Sequence, residues 1–394
     1  MLKFHNFNRI GDLDTPFWYY DMSLLRRTVS EVASLSEKYG IGVHYAIKAN
    51  AEPRIVECIS AAGLGADCVS GNEVAFAVSH GFRPESVVFA GVGKTDKEIN
   101  MAMDLGIGAF HAESMMELAV LEKFAAARGM KVNVAVRINP NIDAHTHKYV
   151  TTGLDDNKFG IQAHEFDAVI EILKKSMFLN FTGLHFHIGS QITDVRGVYS
   201  EECRRAGEIV SRFESCGLAV RDIDLGGGLG VDYEDPDGAP VPDFGTWFAT
   251  IDACLSRRAD QNVSVEPGRA LVAQCGSLIS RVLFVKHGEH KNFLILDAGM
   301  NDLIRPALYG AYHKLENLTA EHDDSGRCSS DDCEKYDVVG PVCESSDVWG
   351  EGRSLPTSCR GDLIAVRSAG AYGSVMSSRY NLRDLAGACF SDDL

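Results

Sequence analysis

The chain has 394 residues, of which 45% are hydrophobic and 24% charged, the proportions of an ordinary globular protein. Its length leaves room for roughly two or three domains. The formal net charge of −17 argues against a nucleic acid or an anionic membrane as partner, although a local basic pocket for an anionic substrate stays open.

The cellular compartment of the protein and the redox state of its cysteines can be predicted from sequence features that are absent. No apolar run is long enough to cross a bilayer, and residues 1–17 lack the apolar stretch of a signal peptide. We therefore expect a cytoplasmic protein. The 11 cysteines are odd in number and form no CxxC pair, which argues against a disulfide framework or a zinc site.

Apolar segments of strand length alternate with amphipathic segments of helical spacing in the first two thirds of the chain. Eight strand–helix units within about 250 residues predict a TIM (β/α)8 barrel over residues 23–272. The rival is a doubly wound open sheet, which usually has a Gly-rich fingerprint after its first strand, and this sequence has none there. The predicted strands are 43–48, 65–70, 87–91, 108–113, 132–140, 183–190, 222–228 and 263–269.

The chain changes character after about residue 272, where strand-like segments follow with little helical periodicity. We predict a second, β-rich domain, like a β-sandwich or barrel, over 273–394. The segment FWYYDM also has the character of a strand, so residues 1–22 are assigned to the same domain. The acidic segment 320–335 predicts an exposed hairpin tip or mobile loop, and the tail 389–394 is expected to fray.

Reactive side chains collect at the C-terminal ends of the predicted barrel strands, which is where a TIM barrel carries its active site. The match between these positions and the active-site end of the fold is stronger evidence for an active site than any single motif. The residues at these ends are Lys48, Asp67, Gly91, Glu113, Arg137, His187, Gly226 to Gly228 and Glu266.

Three of these positions indicate the chemistry of a pyridine aldehyde cofactor. Lys48, if desolvated at the mouth of the barrel, can form an imine with an aldehyde, although it could also be a surface lysine. The glycines at 226–228 let backbone amides approach a phosphate, or simply form a tight turn. Glu266 would keep a pyridine nitrogen protonated, unless it forms an ion pair with Arg269.

Three further residues are candidates for roles beside a cofactor or substrate. His187 could stack on the cofactor ring, although a barrel histidine is more often a hydrogen-bonded core residue. Arg305, in LIRPALY, suits a carboxylate because the guanidinium binds one through two hydrogen bonds. Cys343, in GPVCESSD, is a candidate proton donor, with a buried, inert thiol as the alternative.

These segments resemble a known family. From TPFWYYD to MSSRYN the chain resembles the fold-type III pyridoxal-phosphate-dependent decarboxylases, through YAIKAN, LHFHIGSQ, GGGLG, EPGR, CES and GAYG. MNDLIRPALYGAYH and TTGLDDNKFGI are the most specific segments, and they resemble the members that act on diaminopimelate rather than ornithine or arginine. The family pattern usually has a small residue or asparagine where this chain has Arg379.

The resemblance implies a function and a site. It implies a homodimer with shared active sites that uses pyridoxal 5′-phosphate to convert meso-2,6-diaminopimelate to L-lysine and CO2, the last step of lysine biosynthesis. Cofactor-binding residues would be Lys48, Asp67, His187, Ser190, Gly226, Gly227, Gly228, Glu266, Gly268, Arg269 and Tyr372. Substrate-binding residues would be Arg269, Arg305, Tyr309, Glu344 and Tyr372, with Lys48 and the partner subunit's Cys343 as catalytic groups.

Two alternatives stay open at this point. One is a decarboxylase of the same fold that acts on carboxynorspermidine or ornithine. The other is a non-catalytic homologue that binds the cofactor or regulates another protein. The second alternative predicts loss of the lysine or of the cysteine in CES, and both are present in this sequence.

Overall fold

The computed structural model describes residues 7–142, 158–321 and 333–394. The chain divides into two compact units: Thr28–Gly230 with Asp243–Gly268, and Met1–Arg27 with Val231–Pro242 and Arg269–Leu394. The predicted domain limits, 23–272 against 1–22 with 273–394, stay a prediction. The division by contacts differs from them chiefly by assigning Val231–Pro242 to the second, β-rich unit.

The first unit is a closed barrel of eight parallel strands, which confirms the predicted TIM barrel and excludes the doubly wound sheet. The observed strands end one to five residues earlier than predicted, because the last residues of each segment belong to the loops above the barrel. The barrel strands are β2 (Ile41–Ala46), β3 (Gly65–Cys68), β4 (Val87–Phe89), β5 (Ala109–Ala112), β6 (Val132–Arg137), β7 (Leu179–His185), β8 (Asp222–Asp224) and β9 (Asn262–Val265), numbered after β1 (Phe17–Tyr20).

The helices between these strands follow the amphipathic segments of the sequence. α5 is an example of a helix with sequence-encoded ends. At its start, the side chain of Thr95 accepts a hydrogen bond from the Glu98 amide, and the Glu98 carboxylate accepts one from the Thr95 amide. At its end, Gly106 adopts a left-handed conformation with φ of +67°. The helices are α1 (Phe7–Gly11), α2 (Met22–Tyr39), α3 (Pro53–Ala61), α4 (Gly71–Ser79), α5 (Asp96–Leu105), α6 (Met115–Arg128), α7 (Phe166–Lys175), α8 (Val195–Ser215), α9 (Phe244–Cys254), α10 (Arg269–Val272), α11 (Arg305–Tyr309) and α12 (Leu318–Glu321).

The interior of the barrel is unusually polar at its N-terminal end. TIM barrels are generally filled there by branched apolar side chains. In this barrel Gly42, Ala109 and Ala135 lie beside His44 and His111, and together they line a cavity of about 510 Å³. The small side chains therefore leave a space that the fold usually closes.

The second unit is built on a mixed sheet in the order β12-β15-β10-β11-β13-β14. β1 pairs antiparallel with β10 and parallel with β16, so the FWYY segment lies in the same sheet as these later strands. Its later strands are β10 (Gly276–His287), β11 (Asn292–Leu296), β12 (Leu315–Asn317), β13 (Cys333–Val339), β14 (Val348–Pro356), β15 (Leu363–Val366) and β16 (Gly387–Phe390).

The C-terminal tail is ordered, so the prediction that it frays is wrong. β16 continues the sheet beside β1, and the ring of Phe390 stacks on Tyr20 with centroids 5.6 Å apart. Beyond it, Ser391 Oγ accepts a hydrogen bond from the Met22 amide at 3.0 Å, and Asp392 forms an ion pair with Arg26. Pairing with the first strand, together with these side-chain contacts, fixes a segment whose composition alone suggests a free end.

Two predicted features lie wholly or largely outside the described residues. They are the first part of the TTGLDDNKFGI segment, at 151–157, and the acidic segment 320–335, of which 322–332 are not described. Among the helices in the described ranges, none has the length and apolar character needed to cross a membrane.

Candidate active site

Lys48 lies at the C-terminal end of the barrel, beside a buried carboxylate. It belongs to a 3-10 turn, Ile47–Ala49, two residues after the end of β2, and not to the strand itself as predicted. Its Nζ donates a hydrogen bond to Asp67 Oδ2 at 3.0 Å. The Asp67 side chain has no exposed surface, whereas that of Lys48 is 36% exposed. The carboxylate thus holds an accessible amine at the mouth of the barrel.

Glu266 follows β9, and its two carboxyl oxygens differ in their hydrogen bonds. Its Oε2 lies 3.1 Å from His185 Nε2, whereas Oε1 forms no hydrogen bond with any described residue. Burial lowers the pKa of His185 to about 4, so the imidazole is neutral and shares a hydrogen bond with Glu266. Burial, reinforced by Asp224 and Asp67, raises the pKa of Glu266 well above its usual value. The free oxygen is therefore a site for a proton or for a donor.

The three glycines predicted as a phosphate-binding turn form a tight turn after β8. Gly226 and Gly228 have φ of +66° and +110°, and a Cβ on Gly227 would lie 2.2 Å from the Glu266 carbonyl oxygen. The Gly227 amide donates to His187 Nδ1 at 3.2 Å, which fixes the orientation of that ring. The backbone of neighbouring loops fills the space that side chains would need, so this turn requires glycine.

Other predicted residues lie at the same end of the barrel. Burial lowers the pKa of His187 well below its usual value, so its ring is neutral. Ser190 follows β7, and Gly268 lies in the turn after β9. The strand-end pair of Glu113 and Arg137 forms a buried ion pair at 2.8 Å, which lowers the pKa of Glu113 against the opposing effect of burial.

In the second unit, two buried arginines surround Tyr233. Arg269 donates to the Tyr233 hydroxyl at 2.6 Å, and the guanidinium of Arg305 lies 5.3 Å from the centre of the Tyr233 ring. Burial lowers the pKa of Arg305, and within the described part of the chain its Nε forms no hydrogen bond. Buried cations of this kind favour an anionic ligand. Tyr233 was not predicted, since nothing in its segment distinguishes it from a loop residue.

Two predicted tyrosines accompany these arginines. The ring of Tyr372 lies 5.0 Å from the Arg269 guanidinium, and its φ of +54° is a left-handed conformation that non-glycine residues rarely adopt. Such strain is often found at ligand sites. Tyr309 ends α11, the short helix that begins with Arg305, and is half-buried.

Cys343 and Glu344 lie in an exposed turn, 340–347, between β13 and β14. The Cys343 amide donates to Asn381 Oδ1 at 3.3 Å, and the Tyr380 hydroxyl donates to Glu344 Oε1 at 2.5 Å. Cys343 is therefore exposed, which contradicts the alternative of a buried thiol.

The sequence interpretation missed a group of polar residues inside the barrel. His44 Nδ1 lies 3.5 Å from Asp224 Oδ2, and the His111 ring lies 4.3 Å from that of His185. His111, His185 and Glu266 each bring a potential metal-ligand atom within 4.8 Å of the others. The alternation of side chains along each strand could have identified these residues, because every second side chain of a barrel strand points toward the barrel axis.

The groups at the mouth of the barrel fit pyridoxal phosphate. Lys48 offers a primary amine, Glu266 Oε1 is a buried acceptor without a partner among the described residues, and Gly227 has no room for a side chain. An amine, a carboxyl for the ring nitrogen and a glycine turn whose backbone amides can contact a phosphate are what this cofactor needs from a protein.

Comparisons with known proteins agree with this geometry. Residues 25–273 match the family model described as "Pyridoxal-dependent decarboxylase, pyridoxal binding domain". The chain is 51% identical over 388 residues to diaminopimelate decarboxylase of Bacteroides thetaiotaomicron, covering 98% of each protein. It is 40% identical over 376 residues to that of Zymomonas mobilis, covering 94% of this chain and 86% of the relative.

Solved structures give the same result. The diaminopimelate decarboxylase of Helicobacter pylori complexed with L-lysine superposes with a TM-score of 0.91 at 37% identity, covering 99% of this chain and 95% of that one. The agreement extends over both units of the chain, each of which corresponds to part of that relative.

Proposed function

The chain belongs to the pyridoxal-dependent decarboxylases and, within them, to the diaminopimelate decarboxylase family, and we propose from this premise that it converts meso-2,6-diaminopimelate to L-lysine and CO2. Pyridoxal 5′-phosphate is its cofactor. The observation that carries the proposal is the accessible Lys48 amine held by buried Asp67 in a chain that matches such decarboxylases along its full length.

Lys48 and Asp67 would hold the cofactor and release it to the substrate. When bound, pyridoxal phosphate supplies an aldehyde that links to an amine and a ring that accepts electrons as a carboxylate leaves. The Asp67 carboxylate accepts a hydrogen bond from Lys48 Nζ and would orient that amine, which would hold the cofactor and exchange with the amine of the substrate.

Glu266 would serve the ring nitrogen. Its Oε2 is already hydrogen-bonded to His185, which leaves Oε1 as the oxygen for a proton shared with that nitrogen. A carboxylate in this position stabilises positive charge on the ring, because opposite charges favour each other strongly where water is excluded. The backbone of Gly226–Gly228 would contact the phosphate, with His187 held against the ring by the Gly227 amide.

The arginines would bind anionic groups of the cofactor or substrate. We assign the distal carboxylate of diaminopimelate to Arg305 and Tyr309, because the buried guanidinium of Arg305 has no carboxylate partner within the described residues. Arg269 and Tyr372 are assigned to the phosphate, to the substrate or to both. These roles distinguish diaminopimelate from amines that lack a second carboxylate.

We also propose that the enzyme is a homodimer in which Cys343 and Glu344 of one subunit serve the site of the other. The support is indirect: the thiol lies exposed in a turn, where it can reach a second chain, and the family resemblance implies such an exchange. Cys343 would donate the proton that replaces the departing carboxylate. None of the cysteines that the structure describes forms a disulfide, which supports a reducing compartment such as the cytoplasm.

The test is product analysis with the holoenzyme. We expect meso-diaminopimelate to yield lysine and CO2 in equal amounts, and the Lys48→Ala variant to yield neither. Ornithine and carboxynorspermidine, tested at the same concentrations, should react far more slowly. Rapid turnover of either compound with diaminopimelate left unchanged would contradict the proposal.

A further inference from the structure

The carboxyl of Glu266 has almost no direct access to solvent. Its side chain is 4% exposed, and that of its partner His185 is 1% exposed. In the proposed function this carboxyl shares a proton with the cofactor nitrogen, and the inference drawn here rests on that role. Any proton that enters or leaves the pair must therefore pass through a neighbouring group.

The cavity at the N-terminal end of the barrel brings solvent close to this carboxyl from the side opposite Lys48. Its outer wall includes Glu85, Asn133 and Asn262, which are exposed and lie within two residues of the start of their strands. Its inner wall includes His111, and Gly42 and Ala135 keep the space between open. A polar cavity of about 510 Å³ is large enough for many water molecules.

His111 is the residue that both lines this cavity and faces Glu266. Its Nδ1 lies 3.7 Å from Glu266 Oε1, the oxygen that has no hydrogen-bond partner in the described part of the chain. A small rotation of the ring would bring these atoms within hydrogen-bond distance. His185, in contrast, holds the other oxygen and does not line the cavity.

We propose that His111 carries protons between solvent in this cavity and Glu266, so that the carboxyl serving the cofactor nitrogen exchanges protons through the end of the barrel opposite the substrate. In one direction, the imidazole accepts a proton from a hydronium ion at Nε2 and gives up the proton on Nδ1 to Glu266 Oε1. The hydronium ion becomes water, the imidazole ends neutral, and the reverse transfer returns the proton.

The other charged groups around Glu266 are less suited to this transfer. The groups that influence its charge are Asp224, Asp67, Lys48 and His44, in addition to the two histidines already described. His44 and Asp224 also line the cavity, but they face each other at 3.5 Å. Asp224 is further occupied by the Gly226 amide at 2.8 Å and the Ser264 hydroxyl at 2.9 Å.

The experiment measures proton exchange in the holoenzyme without substrate. Holoenzyme containing pyridoxal phosphate labelled with 15N in its ring is observed by NMR, and the exchange of the ring N–H proton with water is followed by saturation transfer. We expect His111→Phe to slow this exchange about tenfold or more, the scale of a lost proton-transfer group. Ala135→Leu, which fills the cavity, should also slow it.

Two variants make the result specific. His44→Gln removes a titratable group from the same cavity and should leave the exchange rate unchanged. His111→Gln keeps the polarity of the position, and its ring N–H proton should exchange as slowly as in His111→Phe. This second variant is included because the larger change to Phe could disturb folding. Normal exchange in both His111 variants with full cofactor content, or slow exchange in His44→Gln instead, would overturn the proposal.

This experiment contains no substrate, so a failure of the His111 proposal can be distinguished from a failure of the proposed function. If the ring nitrogen resonance is unaltered in Glu266→Gln, the role assigned to Glu266 fails. If that resonance shifts but the His111 variants exchange normally, only the role of His111 fails.

Discussion

The Nζ of Lys48 lies 3.0 Å from a carboxylate, that of Asp67, whose side chain has no exposed surface. A buried carboxylate needs a cation or several donors to offset its desolvation, and here the cation is the amine that would carry the cofactor. The pair therefore keeps Lys48 in position while leaving part of it accessible.

Borohydride reduction of the holoenzyme should fix the cofactor to Lys48. Lys94 is a suitable internal control, because its buried amine is occupied by Glu117 at 2.7 Å and by the carbonyls of Gly91 and His111 at 2.8 Å. Peptide mapping should find the label on Lys48 and none on Lys94. Label on any other lysine would contradict the assignment.

Glu266→Gln should bind the cofactor but lose most of its turnover, by about 100-fold or more if one charged contact to the reacting system is removed. A neutral amide does not stabilise positive charge on the ring nitrogen. The measurement is kcat alongside cofactor content. Near-normal kcat in a fully loaded variant would mean that Glu266 has another role.

Glu202 is a matched control for that experiment and gives a pH prediction of its own. It is buried in α8, neither of its oxygens has a partner among the described residues, and burial raises its pKa well above the usual 4.5. The folded state thus keeps a proton that the unfolded chain releases, so this group makes the fold less stable as the pH rises above about 4.5.

We therefore expect Glu202→Gln to be more stable than the unchanged protein at pH 8, by about 1 kcal/mol or more, because the amide cannot ionise on unfolding and one unit of pKa shift corresponds to about 1.4 kcal/mol. The gain should disappear near pH 4, and kcat should be unchanged. Denaturant unfolding at both pH values measures this. A gain that is equal at the two pH values would show that ionisation of Glu202 is not its cause.

Substrate choice should depend on Arg305. Arg305→Ala should reduce kcat/KM for diaminopimelate by a factor of about 10²–10³, because a charged hydrogen bond to the distal carboxylate is lost. Any activity on ornithine should change much less, since ornithine has no distal carboxylate. Arg305→Lys, which keeps the charge but not the planar pair of donors, should be intermediate. Equal losses on both compounds would indicate that Arg305 is structural or contacts their shared end.

Shared sites can be tested by mixing two inactive variants, Lys48→Ala and Cys343→Ala. If each site takes these residues from different subunits, a mixed dimer has one intact site. Random exchange then restores roughly a quarter of the sites, since about half of the dimers are mixed. A mixture that stays inactive after subunit exchange, verified by mass spectrometry, would refute the shared site.

Local patterns in the sequence were sufficient for the barrel. Alternation and strand spacing predicted the strands, and the rule that barrel active sites lie at strand C-termini selected Lys48, Asp67 and Glu266. These patterns could not predict which side chains contact each other. Nothing in the sequence indicates that His185 holds one oxygen of Glu266 or that His111 lies 3.7 Å from the other, because these contacts join distant strands.

The C-terminal tail shows that local sequence patterns can also fail to predict which strands pair. CFSDDL is short and ends in polar residues, which predicts a free end, yet Cys389 pairs with Tyr19 in the sheet. A partner so distant in sequence leaves no local periodicity to detect.

The pairing of β1 with β10 and β16 also bears on how the protein is made. β1, a run of four aromatic residues, leaves the ribosome before the whole barrel sequence, but both of its neighbouring strands come after residue 275. Until then its backbone groups and apolar rings lack the partners they have in the finished sheet. Such segments promote aggregation, and contacts of high sequence separation form slowly. We expect Phe17–Tyr20 to be where a chaperone holds the nascent chain during synthesis.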